Sequence, residues 1–428
     1  MADESGRTRG LLSVVYGNTP EMRGRALEIL LRAAPRAIVL SVSLRAADGG
    51  GRGESGGHGE DHESGGRGGN GGHGQGHESG GRPTVQRFIS GGGAHERWAR
   101  GATGIPSVIL RQDLLELSRA ERAPHVVLSL PEHIDVTPFL ADVWRPPLGS
   151  TPLASRYELA PVVAALDVDR FLADLRCVHQ AVPVWGDADR PAPLTLAEAA
   201  ARQAEGAGVL ITGGAPPETA GRHAGVQALL GHLNPSATVL GDGVDAAELT
   251  AAVTPGGRAL PADPADRLDP LAGSSVCRRG VHHGVSSVLW RARRPLHPER
   301  LAEALHRVLP GVVRGRGHLW LAGRPDTIVV WRSAGGHVEL AEAGRWLARD
   351  DAEAWRRASP ERRTLAAWFW DDHYGERRNE IVFTGGGLDQ DRIRTGLDAA
   401  LLDDGELALG AAEWARFPDP LFGTRPGR

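Results

Sequence analysis

"LLSVVYGNTPEMRGRALEIL", residues 11–30, decides how the rest of the chain is read. A short apolar run, Leu11 to Tyr16, ends in the tight turn Gly17-Asn18-Thr19-Pro20, and a helical pattern follows. Strand, turn and helix in that order are the layout of a phosphate loop. Such a loop turns glycine-rich backbone N–H groups toward the phosphates, bridges the β and γ oxygens with a lysine, and holds Mg²⁺ with a Ser or Thr hydroxyl. Here Pro20 removes one N–H donor, and the 428-residue chain contains no lysine, all 49 of its basic residues being arginine. Arg23 or Arg25 would have to meet a phosphate at the helix start, aided by the helix dipole. The candidate nucleotide contacts are therefore Gly17, Asn18, Thr19, Arg23 and Arg25. Each lost charged hydrogen bond costs roughly 1.5–3 kcal/mol, so the expectation is a closed strand–turn–helix that packs and does not grip a triphosphate.

Outward from this stretch, short apolar strands alternate with helical patterns, which indicates βαβ units and a largely parallel sheet. The strands read as LLSVVY, AIVLSVSL, TVQRFIS (84–90), HVVLSL (125–130), PVVAALDV (161–168) and GVLITG (208–213). Helices are expected at EMRGRALEILLRA, RQDLLELSRA (111–120), LTLAEAAARQAEGA (194–207) and ETAGRHAGVQALLGHL (218–233). Glu132 or Asp135, after HVVLSL, could be read as a Mg²⁺ carboxylate; Asp135 is read instead as the cap of a helix beginning DVTPFLADVW. Residues 241–283 are rich in Gly, Pro, Ala and Asp, which suits a linker or peripheral excursion.

Composition bounds the function. A formal net charge of −4 and a pI near 6.5 give no global electrostatic case for nucleic-acid or membrane binding. No segment approaches the roughly 20 apolar residues a membrane span needs, and the two cysteines cannot form a disulfide framework, which suggests a reducing, cytoplasmic setting.

Residues 49–82 are built almost wholly of Gly, His, Glu, Ser and Arg and should be disordered without a ligand. GHGEDHESGGR (57–67) and GHGQGHESGGR (72–82) agree at nine of 11 positions, so His-x3-His occurs twice, as His58 with His62 and His73 with His77. Four imidazoles can complete a tetrahedral site for zinc or another divalent transition metal. The glycines leave the backbone free to wrap at an entropic cost, so binding should be loose. The ligands must be neutral, so capture should fade below pH about 6.5. Elsewhere, Cys277 with His282 and His283 is a second grouping of ligand types, although adjacent histidines point to different sides of a strand; the plainer reading is a linker beside a strand. Cys177-Val178-His179 reads as helix packing.

From Gly284 the texture changes. Eight of the 11 tryptophans lie beyond it, among them Trp320, Trp331, Trp368 and Trp370, read as mainly core and strand-face packing. The arginine clusters Arg291, Arg293, Arg294 and Arg314, Arg316 read as solvated strand edges, and His297, His306, His318 and His337 as structural.

Three segments of this region, RRPLHPER, RGHLWLAGRPD and LLDDGELALG, together resemble the C-terminal domain of the CobW family of P-loop GTPases, and the resemblance runs from residue 284 to 423. The N-terminal half is similar in layout. "GIPSVILRQDLLEL" (104–117) keeps the Leu-Arg-x-Asp-Leu helix start as Leu110, Arg111, Asp113 and Leu114, while Ile105, Ser107 and Val108 stand at the family's Cys-x-Cys-Cys positions. Gly213, Gly214, Ala215 and Pro216 stand at its guanine-reading Asn-Lys-x-Asp, and LNPSATVL (233–240) agrees again. The resemblance implies an α/β fold: a P-loop NTPase-like, mostly parallel sheet flanked by helices over residues 1–245, a linker over 246–283 and a smaller α+β domain over 284–428. It implies GTP hydrolases that deliver metals, zinc among them, to client proteins, and such proteins commonly carry His-rich stretches. With the phosphate-loop lysine, the cysteine motif and the guanine-reading motif absent, the expectation is a zinc-binding metallochaperone paralogue that is not an efficient GTPase. A client would dock on the C-terminal domain; the alternative is a divergent GTPase coupled to metal delivery.

Overall fold

The structure is a computed structural model that describes residues 9–45, 84–91, 98–120, 123–132, 134–145, 149–180, 194–214, 220–241, 243–254, 268–269, 271 and 276–422. The first unit contains β1 (Gly10–Gly17), α1 (Pro20–Ala33), β2 (Ile38–Arg45), β3 (Thr84–Ser90), β4 (Trp98–Thr103), α2 (Pro106–Ala120), β5 (His125–Ser129) and α3 (Val136–Trp144). It continues through β6 (Tyr157–Leu159), β7 (Val163–Asp167), α4 (Val168–Leu175), α5 (Leu196–Gly206), β8 (Val209–Gly213), α6 (Ala220–Leu233), β9 (Thr238–Leu240) and α7 (Ala246–Val253).

The strand order is β4-β3-β2-β5-β1-β7-β8-β9, with β6 added alongside β1. In that order all pairs from β2 to β9 are parallel; the β2–β3 and β3–β4 pairs at one edge are antiparallel, so β3 alone is reversed among them. β1, β7 and β8 are buried along nearly their whole length, as continuous apolar strands must be when helices cover both faces. On one face α1 and α7 pack with Met22, Ala26, Leu30 and Leu249. On the other, α2 to α6 contribute Leu114, Phe139, Phe171, Ala201 and Leu230. The carboxyl ends of β1, β5, β7 and β8 therefore share one edge, the place where ligands bind in sheets of this kind.

β4, β6, α4 and β9 have no counterpart in the sequence reading, and two further elements differ from it. α2 begins at Pro106, five residues before the expected start at 111, because proline is compatible with the first turn, where its missing N–H has no helical partner to lose. α7 lies inside the Gly/Pro-rich stretch read as linker; its capping box, Asp245 with Glu248, starts a short helix whose Leu249 is fully buried against α1.

The second unit contains β10 (Val285–Ala292), α8 (Pro298–Val308), β11 (Val312–Leu319), β12 (Thr327–Ala334), β13 (His337–Arg345), α9 (Ala352–Arg357) and α10 (Pro360–Trp368). It ends with β14 (Asn379–Gly386), α11 (Gln390–Asp398), α12 (Asp404–Leu409) and α13 (Ala411–Trp414). The antiparallel sheet has the order β10-β14-β11-β12-β13. α8 and α11 cover one face, burying Leu301, Val308, Ile393 and Leu397 against Trp290, Trp331, Ile381 and Phe383. Trp320, Trp346 and Trp414 form a second small core, whereas Trp368 stands 80% exposed. No described helix is long and apolar enough to cross a membrane.

The other face of this sheet meets α5 and α6. Arg314 on β11, read from sequence as a solvated strand edge, is buried there and pairs with Glu198 and Glu205 of α5. Alternation along β11 explains the difference: Gly315 and Gly317 face α8 and α11, so Arg314 faces the first unit. On α6, His232 is wholly buried; its Nδ1 lies 2.9 Å from Ser287 Oγ and its Nε2 3.0 Å from His282 Nδ1. Burial first, then the Arg278 guanidinium and His282, push the His232 imidazole down to about 4. It is neutral in the fold and protonates in the unfolded chain at about 6.5. The unfolded state thus binds more protons across that window, and stability falls as the pH drops from about 6.5 toward 4. His232→Gln should flatten the pH dependence of the urea midpoint over this range; an unchanged slope would show that the linkage lies elsewhere.

Candidate nucleotide and metal sites

The β1–α1 turn is two residues long, Asn18 and Thr19, and its polar groups face the protein. Asn18 is 5% exposed. Its Nδ2 donates to Asp167 O at 3.0 Å, its Oδ1 accepts from Asp167 N at 2.7 Å, and its own N–H donates to Ala165 O at 3.2 Å. Asn18 thus adds one more rung between the ends of β1 and β7. Thr19 is the N-cap of α1, its Oγ1 accepting from Met22 N at 3.2 Å, and Pro20 follows in the first turn. Arg23 turns away from the turn, donating to Leu130 O at 3.1 Å and pairing with Glu132 at 3.0 Å. Arg25 lies exposed further along α1.

The turn can be this tight only with glycine before it. A Cβ on Gly17 would sit 2.9 Å from both Ala165 O and Arg23 N, which are backbone atoms unable to yield. Gly17→Ala should therefore cost about 1–3 kcal/mol, in the manner of overpacking; a change within 0.5 kcal/mol by urea unfolding would mean that the strand end is free to shift.

The carboxylates named from the sequence as Mg²⁺ candidates are also engaged. Glu132 holds Arg23. Asp135 sits at the N-cap position of α3 but makes no side-chain cap bond, contrary to the sequence expectation; Arg202 of α5 takes its carboxylate at 2.7 Å instead. A guanidinium brings a full opposite charge to the carboxylate, which a backbone N–H does not.

At the end of β8, where the base would be read, Thr212 Oγ1 is within 3.0 Å of both His223 Nε2 and Gln227 Nε2 and donates to Leu240 O at 3.1 Å. Gly214 has a φ of +85°, and a Cβ there would collide with the Asp167 carboxylate, which caps α4 by accepting from Arg170 N. Ala215 and Pro216 lie outside the described residues.

The metal candidates His58, His62, His73 and His77 also lie outside the described residues. Of the positions matching the family's cysteines, Ile105 and Val108 are 43% and 44% exposed at the start of α2 and Ser107 is buried. Arg111, beside them, is buried and donates to the carbonyls of Val143 and Thr151, closing the C-terminal end of α3.

The Cys277 grouping does not form. His282 is turned to His232, and Cys277 lies among Arg316, Arg279 and Arg291. Burial raises its thiol and the three guanidiniums draw it back; together they make a poor place for a divalent cation. Among the described residues no three His, Cys, Asp or Glu side chains are placed to hold a metal. Cys177 and His179 do come together, and not as helix packing: both lie beyond the end of α4, with Sγ 3.2 Å from Nδ1.

Sequence reading found the turn but not its partners, since Asp167 is 149 residues from Asn18 and nothing local marks it. The short Cys-x-His spacing was the available signal for the thiol–imidazole pair.

Residues 285–401 match the family described as cobalamin synthesis protein cobW C-terminal domain. A zinc chaperone of Mycobacterium tuberculosis is 32% identical over 330 residues, spanning 75% of this chain and 78% of that protein. A zinc-regulated GTPase metalloprotein activator of Dictyostelium discoideum is 33% identical over 158 residues, 36% of this chain and 33% of that one. Among solved structures, the Zn(II)-bound YjiA GTPase of Escherichia coli aligns over 92% of this chain and 100% of its own at 13% identity, with a TM-score of 0.33. With a third of its residues shared over three quarters of its length, the chain belongs to the CobW family.

Proposed function

We propose that this chain is a cytoplasmic metal-handling protein that takes up zinc and passes it on, and that its nucleotide-binding fold serves as a scaffold. The observation that carries the scaffold reading is the double hydrogen bond between Asn18 and the Asp167 backbone, which occupies the turn where phosphates would lie. The zinc reading is supported by the Mycobacterium relative, named as a zinc chaperone, and by the paired His58/His62 and His73/His77 repeats, whose ligand type and spacing suit the metal. Zinc here is cargo. A client metalloprotein would dock on the second unit, where the exposed Trp368 offers an aromatic anchor.

A zinc titration of the full chain with and without Mg–GTP tests this reading. The expected result is saturable zinc binding whose affinity is the same in both series. An affinity that shifts tenfold or more with GTP would assign the chain to a working nucleotide-coupled mechanism.

A further inference from the structure

We infer that Cys177 and His179 form a second zinc-binding site at the surface, a two-ligand chelate that leaves two coordination positions open for exchange with a donor or acceptor. The inference deepens the zinc-handling reading and rests on it.

The geometry is that of a preformed bite. A tetrahedral Zn²⁺ at about 2.3 Å from a thiolate and about 2.0–2.1 Å from an imidazole nitrogen holds the two ligand atoms ~3.5 Å apart. Cys177 Sγ and His179 Nδ1 stand 3.2 Å apart, so a small rotation opens the pair onto an ion. On binding, the thiol proton leaves to solvent and the sulfur and Nδ1 lone pair each form one bond to the metal.

The backbone holds the pair in place. Cys177 O accepts from Ala197 N at 3.1 Å, His179 O accepts from Leu196 N at 2.9 Å, and Cys177 N donates to Asp174 O at 2.9 Å. Gln180 bridges to Thr195. The segment 177–180 is thus laid against the start of α5, and the β12–β13 turn lies beside it, Gly335 against Leu175 and Ala197 and Gly336 against Val178.

Access and charge separate this thiol from the other one. Cys177 is half-buried, and His179 is exposed. Cys277 bonds to no imidazole among the described residues and sits among three guanidiniums. Two protein ligands make a weak site, and an ion held by only two groups leaves by ligand exchange more readily than one held by four, which suits transfer over storage.

Cobalt(II), a spectroscopic stand-in for zinc, tests the site in the full-length chain. The expected result is a near-ultraviolet thiolate-to-cobalt band that Cys177→Ser abolishes, Cys277→Ser leaves intact and His179→Ala weakens by about tenfold. Zinc should also protect Cys177, and not Cys277, from alkylation in the unmodified chain, a measurement independent of whether the variants fold. Cobalt bound without a thiolate band, a band that persists in Cys177→Ser, or unprotected Cys177 at saturating zinc would overturn the site and leave the zinc-handling reading standing. No metal uptake of any kind would overturn both.

Discussion

Arg314→Ala is expected to remove about 3–5 kcal/mol of stability, the cost of breaking a buried ion pair by deleting one partner. Arg314 is 3% exposed and bonds to Glu205 at 2.8 Å through Nε, and to Glu198 besides. Glu198 also binds Arg202 at 2.6 Å, and Arg202 binds Asp135 at 2.7 Å. Burial alone would raise the Glu198 carboxyl, but the Arg314 and Arg202 guanidiniums override it and hold it down to about 2. The line Asp135–Arg202–Glu198–Arg314–Glu205 runs from the carboxyl edge of the first sheet to the second, so its loss should loosen the two units from each other. Tryptophan fluorescence reports the second unit, which holds eight of the 11 tryptophans; in urea its transition should move earlier. Adding Glu198→Gln and Glu205→Gln to Arg314→Leu should recover part of the loss, because the carboxylates left short of one partner are then gone. A loss under 1 kcal/mol would mean that the contact is solvated and that the units are held by apolar packing alone.

Deleting residues 49–82 is expected to lower zinc affinity by on the order of 100-fold, leaving the weak two-ligand site. The four histidines of the repeats compete with protons. At one pH unit below about 6.5 each ligating imidazole is about tenfold less available, so the affinity of the intact chain should fall steeply between pH 7.5 and 5.5. The deletion variant should lose the affinity and keep a pH dependence of its own, because its remaining thiol and imidazole also compete with protons. Equal affinities for the two chains at pH 7.5, measured by competition with a chromogenic chelator, would eliminate the repeats as the zinc site.

How much of this was legible in the sequence follows from how local each feature is. The strand–turn–helix at residues 10–33 is specified by neighbours: an apolar run, a glycine that alone fits its turn, a threonine cap and a proline in the first helical turn. The missing lysine was legible as a plain absence. α7 was hidden because its short helix is embedded in Gly/Pro-rich sequence and depends on a capping box and one leucine docked on α1. What the sequence could not disclose are the pairings across long separations. Arg314 meets Glu198 116 residues away and Arg23 meets the Leu130 carbonyl 107 residues away. Strand alternation places Arg314 on one face of its sheet, but only the docking of α5 onto that face makes it a buried charge in place of a solvated one. The same holds for Asp135, a cap by local rules that a guanidinium from another helix claims.

Titration of Mg–GTP into the full-length chain by calorimetry tests the central claim most directly. A turn whose amide, cap and arginine are bonded to the protein, in a chain without lysine, predicts no saturable binding in the micromolar range and no hydrolysis above the uncatalysed rate. A sub-micromolar Kd or measurable turnover would contradict it.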